Sequence, residues 1–186
     1  GASSGVDMLL EPTSSMHPLA DRINPSLLDE LDAKAVADYN KRIETRGEDV
    51  RARYSLQYDL GPCGFEGDID DAKVILLLAN PGFDNTTTPE DHLFRTEGWP
   101  LGGLHDDAPI GLRNWWQPRL RVLIETVGKC MHIPECEARR HVAKTVGSLQ
   151  LTPWASNRFD DGLRLPSRER MLQVASSCAK RGSMLV

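Results

Sequence analysis

The sequence predicts an α/β protein of three layers, α/β/α, with helices on both faces of a short central parallel sheet. Three observations lead there. The stretch Lys73 to Ala79 is an almost unbroken apolar run that stops at the turn signature Asn80-Pro81-Gly82, as a parallel strand covered on both faces does. Two further strand candidates, Val146 to Thr152 and Ser183 to Val186, are separated by helical stretches in the order β-α-α-β-α-β, which favours parallel pairing with helices packed on the sheet. The 186 residues are enough for one domain with a real core.

Taken in order, residues 1–24 read as a flexible N-terminal segment and residues 25–186 as a single domain. Asn24 can cap a helix, Pro25 suits its first position and Gly47 can close it. Leu28, Leu31, Ala35, Tyr39 and Ile43 make its apolar stripe, with charges opposite. Leu60 to Asp68 is a glycine-rich approach to the first strand. Asn80 then stands at that strand's carboxyl end, where open α/β sheets hold their ligands. Pro81 and Gly82 turn the chain sharply and let backbone N–H groups approach whatever binds. Asn80 has two readings, an amide closing a tight turn or one that orients a water or reads a base edge.

Phe83 to Arg113 is a long connection without periodicity, rich in Thr, Asp, Gly and Pro. Loops of that length are uncommon in compact domains unless they serve a function, so it is expected to wall a pocket beside Asn80. Asn114 with Gln117 makes a capping box for the next helix, with Pro118 in its tolerant first turn and Trp116, Leu120, Ile124 and Val127 on its core face. Another helix follows Pro134 to about Thr145. The second strand ends at Pro153-Trp154, a helix spans Pro166 to Arg181 with Gly182 closing it, and the third strand opens at Ser183. A chain that stops inside a strand leads to the expectation that the domain continues past Val186.

Charge and composition narrow the partners. With 22 basic against 27 acidic residues and a net of −5, bulk charge does not favour a grip on nucleic acid, and only a local basic groove would. Nothing approaches the ~18 apolar residues of a membrane helix, so no membrane partner is expected. Met8-Leu9-Leu10 is too short for a secretory leader, which makes the cytoplasm the expected location and reduced thiols the expected state of Cys63, Cys130, Cys136 and Cys178. Those cysteines form no Cys-x-x-Cys pair, and Asp70-Asp71 and Asp106-Asp107 are isolated. Neither a metal nor a cofactor is therefore expected, and a monomer is the default.

The strand and turn Leu77-Leu78-Ala79-Asn80-Pro81-Gly82 resembles the first motif of the uracil-DNA glycosylase superfamily. It is closest to the Gly-x-Asn-Pro-Gly form of the mismatch-specific and single-strand-selective uracil glycosylases. Asn114-Trp115-Trp116 resembles the Asn-Arg-Phe-Trp stretch of the former. Leu149 to Trp154 is similar to the strand ending in Asn-x-Cys-Pro-Leu in the latter, and Leu165-Pro166-Ser167 has a counterpart there. The likeness runs from about Leu60 to Val186.

The resemblance implies a base-flipping N-glycosidase acting on DNA, single- or double-stranded, at a deaminated, mismatched or modified base. On that reading Asn80 positions the attacking water, orienting it rather than deprotonating it because an amide is not a strong base. Phe94, with Trp99 as its rival, would stack on the flipped base, and Pro81, Gly82, Phe83 and Trp154 would line the pocket. The family's base-reading Asn aligns with Gln150, whose amide reaches one methylene further. The family's second motif, a His with an apolar wedge after a fourth strand, has no counterpart here, since none of His17, His92, His105, His132 and His141 stands in its place. The alternative is a non-catalytic protein of the same fold that binds a nucleobase, a nucleotide or a protein partner.

Overall fold

In the computed structural model, which describes residues 18–186, a four-stranded sheet is covered by helices on both faces. Most of the expected N-terminal segment lies outside the described residues, His17 included. Its remainder is docked: Leu19–Ile23 forms a 3-10 turn whose Leu19 N–H donates to Asp70 at 2.6 Å, and Ile23 is fully buried. Helix α1 (Pro25–Glu44) begins as expected, with the Asn24 side chain accepting from Leu27 N–H and Pro25 in the first turn. It stops short of Gly47, which takes a φ of 101° to open a separate short helix, α2 (Glu48–Tyr54). The buried stripe of α1 is Leu28, Asp32, Val36, Tyr39 and Ile43, so the face is rotated from the expected one and carries a carboxylate at its centre.

The sheet is mixed rather than wholly parallel, which corrects the expectation. Its order is β1 (Phe65–Glu66), β3 (Val146–Gln150), β2 (Val74–Leu78) and β4 (Met184–Leu185). β2 pairs in parallel with β3, from Val74 opposite Val146 to Leu78 opposite Gln150, and in parallel with β4. The edge strand β1 runs antiparallel to β3 and comes out of the glycine-rich approach. Two glycines make that possible. Gly67 has a φ of +84°, and a Cβ there would lie 2.7 Å from the Cα of Gly147 and 2.8 Å from the carbonyl of Val146. The backbones touch where neither has a side chain.

Three helices lie in the second half of the chain, α4 (Ile110–Met131), α5 (Glu135–Thr145) and α6 (Ser167–Lys180). One face of the sheet, with Ile75 and Leu149, packs on Met171, Val174, Ala175 and Cys178 of α6 and on Ile23 and Leu28. The other, with Val74, Leu76 and Val146, packs on α4 and α5 through Trp116, Leu120, Ile124, Ala138 and Val142. Helix α4 starts at Ile110, four residues before the expected cap, because Pro109 supplies the extended N-cap and the Gly102–Leu104 turn carries the chain to it. Asn114 is therefore inside the helix and Pro118 lies in its interior. Proline at that position offers no N–H to the Asn114 carbonyl four residues back. The long connection is not structureless, since it holds the short helix α3 (Pro89–His92), capped by Thr88.

Candidate functional site

A cavity of about 630 Å³ opens at the carboxyl ends of β2 and β3, on the α4 side of the sheet. That is ample for a small organic ligand. Its walls come from separated stretches of chain: Cys63 and Glu66 around β1, Leu78 to Asp84 after β2, Thr86 to His92 of the long connection, Pro109 to Trp116 at the start of α4, and Gln150 ending β3. Asn80, Pro81, Gly82, Phe83 and Gln150 thus share one cavity.

Asn80 is held in one orientation. Its Nδ2 donates to the Trp154 carbonyl at 3.1 Å and to Ser156 Oγ at 2.8 Å, and Ser156 Oγ in turn donates to the Arg158 carbonyl at 2.7 Å. A carbonyl only accepts, so the amide nitrogen must face the 154–158 loop. Oδ1 is left without a donor among the described residues and is the group that Asn80 can offer to a ligand. The turn itself is anchored by the parallel bridge between Gly82 and Ser156.

Gln150 is only 3 % exposed, yet it lines the cavity and its Oε1 has no hydrogen-bond partner. An unpaired buried acceptor costs about 1–3 kcal/mol, so a group in this place calls for a donor. Glu66 stands nearby. It pairs opposite Ser148 in the antiparallel register, two residues before Gln150 on the same sheet face. Its exposed surface opens into the cavity. Burial raises its pKa, against the opposing pull of the Arg95 guanidinium and the Trp116 indole. Among the described residues no cation lies within ion-pair distance of it. Arg95 is instead spent on the carbonyls of Phe94 and Phe65, at 2.8 and 3.0 Å.

Two further groups bound the chemistry. His92 is 9 % exposed and its Nε2 lies 3.1 Å from the Gly61 carbonyl. The carbonyl can only accept, so Nε2 carries the proton and Nδ1 the lone pair. Burial lowers the pKa of the ring, which makes neutral imidazole its ordinary state. The Cys63 thiol is pushed up to about 11, chiefly by burial, and a thiol in that state is no nucleophile at neutral pH. Among the described residues no group of His, Cys, Asp and Glu is arranged to hold a metal ion, and no helix is long and apolar enough to cross a membrane.

Two expected pocket residues lie elsewhere. Trp154 is fully buried, stacks on Tyr58 at 5.2 Å and donates from Nε1 to Asp32 at 2.9 Å. It belongs to a third core cluster with Val36, Tyr39, Leu163 and Leu165. Its side chain is taken by a partner on α1, and it reaches the cavity only through the carbonyl that fixes Asn80. Phe94 packs against Gly102, where a Cβ would sit 3.2 Å from its ring, and is not on the cavity wall. Trp99, the rival, meets His105 edge-on at 5.2 Å and joins the α4–α5 core.

The aromatic walls are Phe83, which was expected there, with Trp115 and Trp116. Trp115 is half-buried, with the Arg119 guanidinium 4.2 Å from its ring centroid and Trp116 edge-on at 4.7 Å. Sequence reasoning passed over Glu66 and His92. Glu66 lay in a stretch read as loop, and only the β1–β3 register brings it beside Gln150. His92 had no signal beyond its place in the long connection. Compared with protein-family models, curated proteins and solved structures, the chain matches none of them.

Proposed function

We propose that the cavity receives a nucleobase and that the protein is a DNA glycosylase-like hydrolase of the N-glycosidic bond, in keeping with the motif resemblance around Asn80-Pro81-Gly82. The observation that carries this reading is the pair of amides at the strand ends. Gln150 offers a buried, unpartnered Oε1 suited to a base edge. Asn80, with Nδ2 fixed on Trp154 and Ser156, has Oδ1 for a water. Phe83 and Trp115 supply ring surfaces on which a flipped base can stack.

On this reading Asn80 Oδ1 accepts a hydrogen bond from the water and turns its lone pair toward C1′ of the sugar. The C1′–N bond breaks as the water oxygen bonds to C1′. The electron pair leaves with the base, and the proton lost by the water ends on the base through solvent. Gln150 Nε2 would donate to the negative charge developing on the base.

The test is base release from single- and double-stranded oligonucleotides carrying uracil, hypoxanthine, xanthine or hydroxymethyluracil, or an amino-bearing base, adenine or cytosine, in a mispair. Asn80→Ala serves as control, with its fold checked by thermal unfolding. Release by the wild type that falls at least about 100-fold in Asn80→Ala supports the reading. Release that is unchanged in the variant removes Asn80 from the chemistry.

A second reading, binding without hydrolysis, has its own support. The cavity lining holds Glu66, Asp84 and Asp91 but no arginine or lysine, so the wall brings no cationic side chain to a phosphate. Saturable base binding without release from any substrate would decide for it.

A further inference from the structure

The inference rests on the nucleobase reading and narrows the class of base. Glu66 and Gln150 occupy one face of adjoining strands at the floor of the cavity. Between them they offer more acceptors than donors. Gln150 supplies Oε1 as an acceptor and Nε2 as a donor, while an ionised Glu66 supplies two acceptor oxygens. The protein meets part of that demand. The Trp116 indole and the Arg95 guanidinium favour the Glu66 carboxylate, but Gln150 Oε1 is unpartnered and no cation among the described residues is within ion-pair distance of Glu66.

A ligand that completes this floor must bring two N–H donors beside a ring acceptor. Uracil and hypoxanthine offer a single N–H on their pairing edge, beside carbonyl oxygens that would point lone pairs at the carboxylate. Cytosine and adenine offer both hydrogens of an exocyclic amino group next to a ring nitrogen. One hydrogen can go to Glu66, the other to Gln150 Oε1, and the ring nitrogen can accept from Gln150 Nε2. We propose that Glu66, acting with Gln150, reads the exocyclic amino group of the bound base, so that the cavity selects amino-bearing bases over their oxo counterparts. The selection belongs to the ionised carboxylate, since a neutral carboxyl, like an amide, can turn a donor toward an oxo group.

The experiment measures binding of two nucleoside pairs, cytidine with uridine and adenosine with inosine, each differing at this edge by amino against oxo. Ligand-observed NMR gives affinities, and the side-chain amide signal of Gln150 reports occupancy of this cavity. The full chain is compared with Glu66→Gln, which keeps the shape, and with Glu66→Asp, which keeps the charge but withdraws it by one methylene.

The wild type is expected to favour the amino member of each pair by at least about tenfold, the scale of a charge-assisted hydrogen bond. Glu66→Gln is expected to bring each pair close to parity, because its amide can turn a donor toward the oxo group. Glu66→Asp is expected to weaken the amino members and leave the oxo members little changed, so either variant alone can carry the result. An oxo preference in the wild type, or an amino preference that survives both substitutions, overturns the role of Glu66 while leaving a nucleobase site standing. If no nucleoside moves the Gln150 signal, the nucleobase reading fails and this inference fails with it.

Discussion

Asp32 shows how a single residue can tie distant parts of a chain together. It is fully buried on α1 and accepts three hydrogen bonds, from Trp154 Nε1 at 2.9 Å, Ser167 N at 2.8 Å and Ser167 Oγ at 2.6 Å. It thereby joins α1, the segment after β3 and the start of α6. The Trp154 carbonyl in turn holds Asn80, so the orientation of the cavity amide depends on a carboxylate outside the cavity. Replacing Asp32 with Ala leaves a buried indole N–H and a backbone N–H unpaired, and a loss of about 3 kcal/mol or more is expected. Urea unfolding of Asp32→Ala checks it, and a loss below about 1 kcal/mol would mean that water replaces the carboxylate freely. None of this was legible in the sequence. Trp154 follows a strand and a proline, as pocket residues do, but its partner is 122 positions away and sits in a helix where Asp reads as solvent-facing. Asn80 was legible because the end of a buried strand is a local signal, and Gln150 only through the motif resemblance. Phe94 was not, because its side chain turns to Gly102.

Among the elements, helices with clear caps and strands with long apolar runs were readable, and short elements made by pairing were not. The expected bounds of α5 and α6 lie within two residues of those observed. Helix α4 was misread because Asn114 and Gln117 imitate a capping box, while its real N-cap, Pro109, carries no capping side chain. Strand β1, two residues long, has no periodicity to read; it exists because β3 offers an edge and Gly67 turns the chain onto it. That origin predicts opposite results at two glycines. Gly67→Ala must push a Cβ into the backbone of β3, 2.7 Å from the Gly147 Cα, at a φ that suits only glycine. A loss of at least about 2 kcal/mol is expected, with displacement of neighbouring Glu66. Gly111→Ala, in the first turn of α4 with nothing within 4 Å of the added Cβ, should instead stabilise by about 0.5–1 kcal/mol by favouring the helix. Thermal unfolding of the two variants checks both signs, and a neutral Gly67→Ala would show that β1 is free to move off the sheet.

For the whole molecule, the α/β class followed from one buried strand and the alternation of elements, but the cavity did not, because its wall is drawn from β1, β2, the long connection, α4 and β3 at once. Its burial of ionisable groups leaves a signature in the stability of the entire fold. Burial lowers the pKa of His92 from its ordinary 6.5. The unfolded chain therefore takes up a proton that the folded chain resists, and stability present above pH 6.5 is lost as pH falls toward the folded value. Glu66 works the other way. Its pKa is raised from 4.5, so the unfolded chain releases a proton that the folded chain retains. Stability then falls as pH rises from 4.5 through the folded value, and above that value the carboxylate is a net burden on the fold. Glu66→Gln should accordingly be more stable than the wild type at neutral pH, with the difference shrinking as the pH is lowered toward 4.5. His92→Gln should lose less stability than the wild type on acidification below pH 6.5. Melting temperatures of the three proteins across this range separate the two effects. If Glu66→Gln is less stable than the wild type at neutral pH, the carboxylate is satisfied within the protein, and the unmet acceptors that point to a donor-rich ligand are fewer than the geometry suggests. A more stable variant that has lost its preference among bases would mean that Glu66 is kept for what it binds, at the expense of the fold that holds it.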